Sequence, residues 1–285
     1  IVKQVAVAHS RAPQILALLN EYGPLSVRGL QVILRPRITK RRLQECLLRL
    51  YQKGLVIGRF EATPFSRQYY ELSQADAVRE NIHLLTGIPH DRLIQPYFRS
   101  QELLHNEECA FWAYYLKEAF PDADVVRDFR ISEYKDISSK LMMDEKNPEI
   151  RPDIVLFYPE NFEHESLLIP IEIELSRKSD TRLFRKLRKY ANGTHSDGVI
   201  YLCHKNTLAD TIGGIYKKSV MEKALRIAHY KDLFLLLGDR SFHADNLEPK
   251  LVNVNAETVS LKDWVQALRA TPHTKRRKLK LTKPA

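Results

Sequence analysis

Only three of the 285 residues are cysteine, Cys46, Cys109 and Cys203, and they lie far apart with no Cys-x-x-Cys spacing. Neither a disulfide framework nor a zinc finger is expected from such a pattern. No apolar run approaches bilayer-spanning length and no signal peptide is visible, so no membrane insertion is expected and the cytoplasm is the expected location. A Gly-rich phosphate loop is missing, which argues against an ATP-driven motor. So is a Gly-x-Ser-x-Gly elbow, which argues against a serine hydrolase. One stretch lacks acid altogether. Residues 271–285 hold Lys275, Arg276, Arg277, Lys278, Lys280 and Lys283 and no carboxylate. Those six cations form a large part of the formal net charge of +10, and with a pI near 9.4 they point to a polyanionic partner, most simply nucleic acid. A block of this kind is expected to be disordered and to bind polyanions without selectivity.

What is present centres on Ile169-Pro170-Ile171-Glu172-Ile173-Glu174-Leu175 and on Arg151-Pro152-Asp153 upstream. Alternation of aliphatic residues with Glu172 and Glu174 predicts a half-buried strand with both carboxylates on one face. Asp153 opens a second apolar run, Ile154-Val155-Leu156-Phe157-Tyr158, and a polar stretch at 159–166 joins the two. The result is an expected hairpin that gathers three carboxylates at one end of a sheet. Acids that close repel one another, and a divalent cation is the usual compensation. The alternative is plainer: two exposed glutamates on an edge strand and an unrelated Asp at a turn.

The length suggests two domains. In the first, residues 12–22 have helical spacing and stop at Gly23-Pro24. Ser26 and Thr39 are expected to cap two further helices, and residues 56–61 and 68–72 read as two strands. Helix, helix, helix and a strand pair is the order of a winged helix. Its third helix opens on Lys40, Arg41 and Arg42, just after Arg35 and Arg37. A recognition helix presents such residues to the DNA major groove, so Arg37, Lys40, Arg41 and Arg42 are candidate DNA contacts. Arg59 and Arg67 on the strand pair are expected to reach the backbone or minor groove.

Residues 86–98 read as a linker, placing one domain at 1–95, a second at 96–270 and the basic tail at 271–285. In the second domain a long helix from Ser100 to about residue 120 turns His105 and Glu108 inward, with Glu107 nearer solvent. Residues 125–131 read as the first core strand and 132–149 as a charged insertion with few apolar anchors. Residues 181–190 form a basic helix whose Arg182, Arg185, Lys186 and Lys189 are further candidate DNA contacts, leaving Leu183, Phe184 and Leu187 to pack. Residues 199–203 read as a buried strand, 209–228 as helix broken at Gly213-Gly214, 232–238 as a strand and 261–268 as a last helix.

Pro152-Asp153, about eighteen intervening residues and Glu172-x-Glu174 resemble the signature of the PD-(D/E)XK nuclease superfamily, with Glu174 where the usual motif ends in Lys. The resemblance implies a mixed-sheet, restriction-endonuclease-like α/β domain behind the winged helix. It implies Mg²⁺ or Mn²⁺ held by Asp153, Glu172 and Glu174, with Glu108 as a fourth acid from the preceding helix. Lys178 then supplies the missing cation from the strand-to-helix turn and, with the three acids, makes up the catalytic set. A winged helix ahead of Glu-Ile-Glu-Leu-Ser-Arg-Lys-Ser and a basic helix ending Lys-Leu-Arg-Lys-Tyr is similar to the plasmid replication–relaxation group, within it to the MobC-type mobilisation relaxases. That likeness implies a bacterial cytoplasmic enzyme nicking one strand at a plasmid transfer origin, with an accessory mobilisation protein and a coupling ATPase as partners. The ten histidines form no His-hydrophobic-His triplet, so relaxases built on that cluster are excluded. The remaining readings are a restriction or transposon endonuclease cutting both strands, and a plasmid replication or transcription regulator with a vestigial nuclease domain.

Overall fold

Caps and positive-φ glycines set the elements of the first half. Helix α1 (Ala12–Tyr22) starts with Pro13 in its first turn, buries Ile15, Leu16 and Leu19, and stops at Gly23, whose φ of 79° a residue with a Cβ rarely adopts. Strand β1 (Leu25–Ser26) leads straight into α2 (Val27–Ile33), and Ser26 Oγ accepts the Gly29 N–H at 3.1 Å. Thr39 caps α3 (Lys40–Gln52) through the Arg42 N–H. Strands β2 (Val56–Phe60) and β3 (Gln68–Leu72) pair antiparallel, and β1 adds to β3, giving a small sheet in the order β1-β3-β2. Helix α4 (Asp76–Thr86) follows.

These are features of a computed structural model that describes residues 11–34, 38–60, 68–93, 98–141, 150–162, 164–176, 178–193, 196–203, 206–218, 225–229, 250–252 and 258–271. The chain divides into two units, Ile1–Phe111 and Trp112–Ala285, and the division falls inside helix α5 (Leu103–Ala119). Part of the expected linker is packed, since Leu93 and Phe98 are buried. Residues 94–97, Arg37 with its neighbours at 35–36, Arg67 and the tail beyond 271 lie outside the described residues.

Glu107 differs from expectation. It is buried, and its Oε1 accepts the Ser26 N–H at 2.8 Å, an amide that the start of α2 leaves without a helical partner. A Cβ at Gly29 would stand 2.4 Å from that oxygen, so a larger residue there would have to push the Glu107 carboxylate aside. The neighbouring Asn106 donates to Pro24 O at 2.7 Å, which ties the first turn of α5 to the β1 turn.

The second unit carries a seven-stranded sheet in the order β10-β9-β8-β7-β6-β5-β4. Its strands are β4 (Asp124–Arg127), β5 (Ile154–Tyr158), β6 (Leu167–Glu174), β7 (Val199–Cys203), β8 (Leu225–His229), β9 (Lys250–Val252) and β10 (Thr258–Ser260). Strands β6, β7 and β8 run parallel and the remaining pairs are antiparallel. Parallel neighbours need crossovers, and α7 (Asp180–Gly193) and α8 (Asn206–Lys218) supply them. Helices α6 (Lys135–Lys140) and α9 (Leu261–Arg269) are its other α-helices among the described residues. The chain is thus a mixed α/β protein with two sheets, and no described helix is long and apolar enough to cross a membrane.

Several expectations need correcting. Strand β6 is neither half-buried nor at an edge; it lies between β5 and β7 with all eight residues buried, because helices cover the acidic face as well. Residues 132–141 are anchored rather than loose. Ile137 and Leu141 are fully buried with Val126, Val155, Phe157 and Leu168, and residues 142–149 lie outside the described residues. Strand β4 is short, giving way at Asp128 to a 3₁₀ turn. Helix α8 runs through Gly213-Gly214, since burying Leu208, Ala209 and Ile212 outweighs a helical glycine cost of about 1 kcal/mol each. It ends at Lys218, and the next strand is Leu225–His229; residues 232–238 lie outside the described residues.

Candidate active site

Alternate side chains of a strand fall on opposite faces, so Leu168, Pro170, Glu172 and Glu174 share one face of β6. The parallel register sets Glu172 beside Tyr201 and Glu174 beside Cys203 of β7. On the other side Ile171 pairs with Ile154, which puts Asp153 one step further along, next to Glu172. Asp153 Oδ2 accepts the Ile173 N–H at 2.7 Å, locking the end of β5 to β6. The hairpin therefore brings Asp153 and Glu172 together on one face.

Glu172 is 0 % exposed and both its oxygens are engaged: Tyr190 Oη donates to Oε1 and Lys186 Nζ to Oε2. Burial pushes its carboxyl up to about 7; Lys186 and Tyr190 pull it back, and the charge of Asp153 adds to the rise. Burial alone would lower the Lys186 ammonium, but Glu172, Asp153 and Glu174 around it prevail and hold it above the ordinary lysine range. Glu174, 2 % exposed, pairs with Lys178, Nζ to Oε1 at 2.6 Å. Burial pushes the Cys203 thiol beside it up to about 12, and the charge of Glu174 adds to that.

These cations spread the acids apart. Among the described residues, the oxygens of Asp153, Glu172 and Glu174 do not all lie within 4.8 Å of one another, because Glu172 turns to α7 and Glu174 to the Lys178 turn. The expected three-acid cluster is thus an adjacent pair, Asp153 and Glu172, with Glu174 held to one side. Glu108 is buried on α5 in the first unit. The pair fits Mg²⁺ or Mn²⁺ in donor type, since hard divalent ions take carboxylate oxygen, and the register places the two acids side by side.

Helix α7 works on two faces. Leu183, Leu187 and Tyr190 pack against Tyr201 and Cys203. Phe184, expected to pack, is 39 % exposed, because it lies off the stripe that meets the sheet. Arg182, Arg185, Lys186 and Lys189, with Arg151, Ser179 and Thr181, line a groove of about 780 Å³. Five of those seven residues carry positive charge, so the groove suits phosphate.

Sequence reasoning placed Lys186 among the candidate DNA contacts but missed its contact with Glu172, and it missed Tyr190 altogether. The signal was the i, i+4 spacing of Lys186 and Tyr190 along the edge of the Leu183–Leu187 stripe. Tyr190 and Tyr201 are fully buried, and burial and the nearby acids hold both hydroxyls well above the ordinary tyrosine range. Neither suits nucleophilic attack.

In the first unit, Lys40, Arg41 and Arg42 are exposed on the opening turn of α3. Arg41 is 91 % exposed even while its Nε meets Glu45 Oε1 at 3.0 Å, and a pair so open costs little to exchange for phosphate. Arg59 does not reach outward as expected. It is largely buried and pairs with Glu71 at 3.3 Å, since burial alone would leave the Glu71 charge uncompensated. Comparison with protein families, with curated proteins and with solved structures finds no match for this chain.

Proposed function

We propose that this chain is a metal-dependent DNA endonuclease, a relaxase that nicks one strand at a plasmid transfer origin. The observation that carries the reading is the Asp153–Glu172 pair set in register on adjacent strands, with Lys186 joining it to a groove walled by five cations. The order α1-β1-α2-α3-β2-β3 supports a winged helix in the first unit. The mixed sheet, with acids at the end of a central strand ahead of a basic crossover helix, supports a PD-(D/E)XK domain in the second.

In this reading Arg151, Arg182, Arg185 and Lys189 hold the DNA backbone, and Lys186 offsets charge that develops on the scissile phosphate. Asp153 and Glu172 hold Mg²⁺ or Mn²⁺, which supplies activation of water and charge neutralisation. Lys178 keeps Glu174 oriented. An accessory mobilisation protein and a coupling ATPase are the partners the reading implies, and the bacterial cytoplasm the place.

Purified protein incubated with supercoiled plasmid carrying its transfer origin should convert it to the open-circular form in Mg²⁺ or Mn²⁺. EDTA should stop the reaction, and a linear product would favour a double-strand endonuclease. A second reading, a DNA-binding regulator with a vestigial nuclease domain, draws support from the engagement of both Glu172 oxygens by the chain's own donors. Binding without cleavage under every metal condition would favour it.

The exposed cations of α3 give a separate expectation. Replacing Lys40, Arg41 and Arg42 together with Ala should weaken specific binding by roughly 1–3 kcal/mol for every base edge that one of them reads. Mn²⁺ binding should be untouched. A gel-shift titration with unchanged affinity would move DNA recognition away from this helix.

A further inference from the structure

Lys186 belongs to two environments at once. Its Nζ donates to Glu172 Oε2 inside the sheet face, and its side chain is part of the wall of the cation-lined groove. Its stem rises from α7, whose other inward residues, Leu183, Leu187 and Tyr190, are fixed in the core, so exchange between the two environments falls to the rotatable bonds of the lysine side chain itself. While it stays on Glu172, an incoming cation meets a carboxylate whose two oxygens are both taken. Once it turns to an anion in the groove, Glu172 is left buried with Asp153 beside it and without its lysine, and that is costly unless another cation arrives.

We propose that Lys186 couples the two ligands of this site: a nucleic-acid phosphate entering the groove draws the ammonium off Glu172 and thereby opens the Asp153–Glu172 pair to a divalent cation. The cation and the phosphate then bind cooperatively, and the protein without DNA holds divalent metal weakly. This rests on the metal-nuclease reading and adds to it an order of assembly, with DNA promoting metal binding. Such a device keeps the cleavage centre incomplete until a strand lies in the groove. By linkage the effect is reciprocal, so metal must tighten DNA binding by the same factor.

The test is Mn²⁺ binding to the full chain, read from the electron paramagnetic resonance of free Mn²⁺, with and without a twelve-residue oligothymidylate. Uptake of Mn²⁺ by the oligonucleotide alone is measured in parallel and subtracted. The oligonucleotide should tighten Mn²⁺ binding by a factor in the usual coupling range of about 5–150, and Mn²⁺ should tighten oligonucleotide binding equally. Lys186→Met should bind Mn²⁺ more tightly than wild type without DNA, and its coupling factor should fall to near one. Lys189→Met, altered in the same groove wall, should weaken oligonucleotide binding yet keep the factor. Mn²⁺ binding that ignores the oligonucleotide would overturn the coupling while leaving the metal reading intact. No Mn²⁺ uptake by wild type or Lys186→Met, with or without DNA, would overturn both. Should Lys186→Met melt near ambient temperature, Lys186→Gln, which keeps a donor for Glu172 without the charge, takes its place in the same comparison, and a coupling factor unchanged from wild type would overturn the role of Lys186.

Discussion

Asp153→Asn should lose DNA cleavage by roughly 10²–10³-fold or more, the scale seen when one group stabilising a transition-state charge is removed. The fold should survive. Asp153 Oδ2 accepts the Ile173 N–H at 2.7 Å, and an asparagine carbonyl can accept that bond in its place. Burial remains the main cause of the raised Glu172 carboxyl, and removing the Asp153 charge takes away only the smaller addition it makes. In EDTA, with one negative charge fewer beside the groove, DNA should bind at least as tightly as to wild type. The measurement is nicking of supercoiled origin plasmid in Mg²⁺ and Mn²⁺, with a gel shift in EDTA alongside. Full nicking by the variant would remove Asp153 from the chemistry. Lost binding together with lost nicking would show a structural role instead.

Glu172 should make the stability of the second unit fall as pH rises through neutrality. Its carboxyl is raised from 4.5 to about 7, chiefly by burial. A group raised in the folded state holds a proton there that the unfolded chain has released. The stability it contributes is therefore fully present below pH 4.5 and is lost as pH rises through about 7. A displacement of that size is worth on the order of 3 kcal/mol. Glu172→Gln cannot titrate, so wild type should lose stability relative to it between about pH 5 and 8, in urea unfolding with EDTA present. Parallel pH profiles for the two proteins would show that Lys186 keeps Glu172 ionised throughout. Saturating Mn²⁺, in excess of the weak affinity of the DNA-free protein, should flatten the wild-type profile more than that of the Gln variant, because a cation held on Glu172 compensates the buried charge.

The acidic strand was legible because the side-chain period of a strand is two, so Glu172 and Glu174 had to share a face wherever β6 lay. That the face would be buried was not legible. An alternating pattern is what a strand with one wet face shows, and here the helical cover comes from α6, α7 and α8, which only tertiary packing lays across the sheet. The caps at Ser26 and Thr39 and the stop at Gly23 were read correctly because they act within a few residues. Glu107 was misplaced because its partner, the Ser26 amide, stands 81 positions away. The 213–214 glycines misled for a related reason, as local propensity gave way to the packing of Leu208, Ala209 and Ile212.

The sequence by itself determined the alternation of acids with aliphatics, the clustering of cations on α7, the helix caps and the order of the helices and the strand pair in the first half. All of these follow from neighbours along the chain. Tertiary structure alone decided which charges meet: Glu172 with Lys186 and Tyr190, and Asp153 with the Ile173 amide. Those pairings depend on strand register and on how α7 lies across the sheet. An ion pair carries no mark in the sequence of the partner that a fold will bring to it, and burial strengthens whatever pairing the fold then makes.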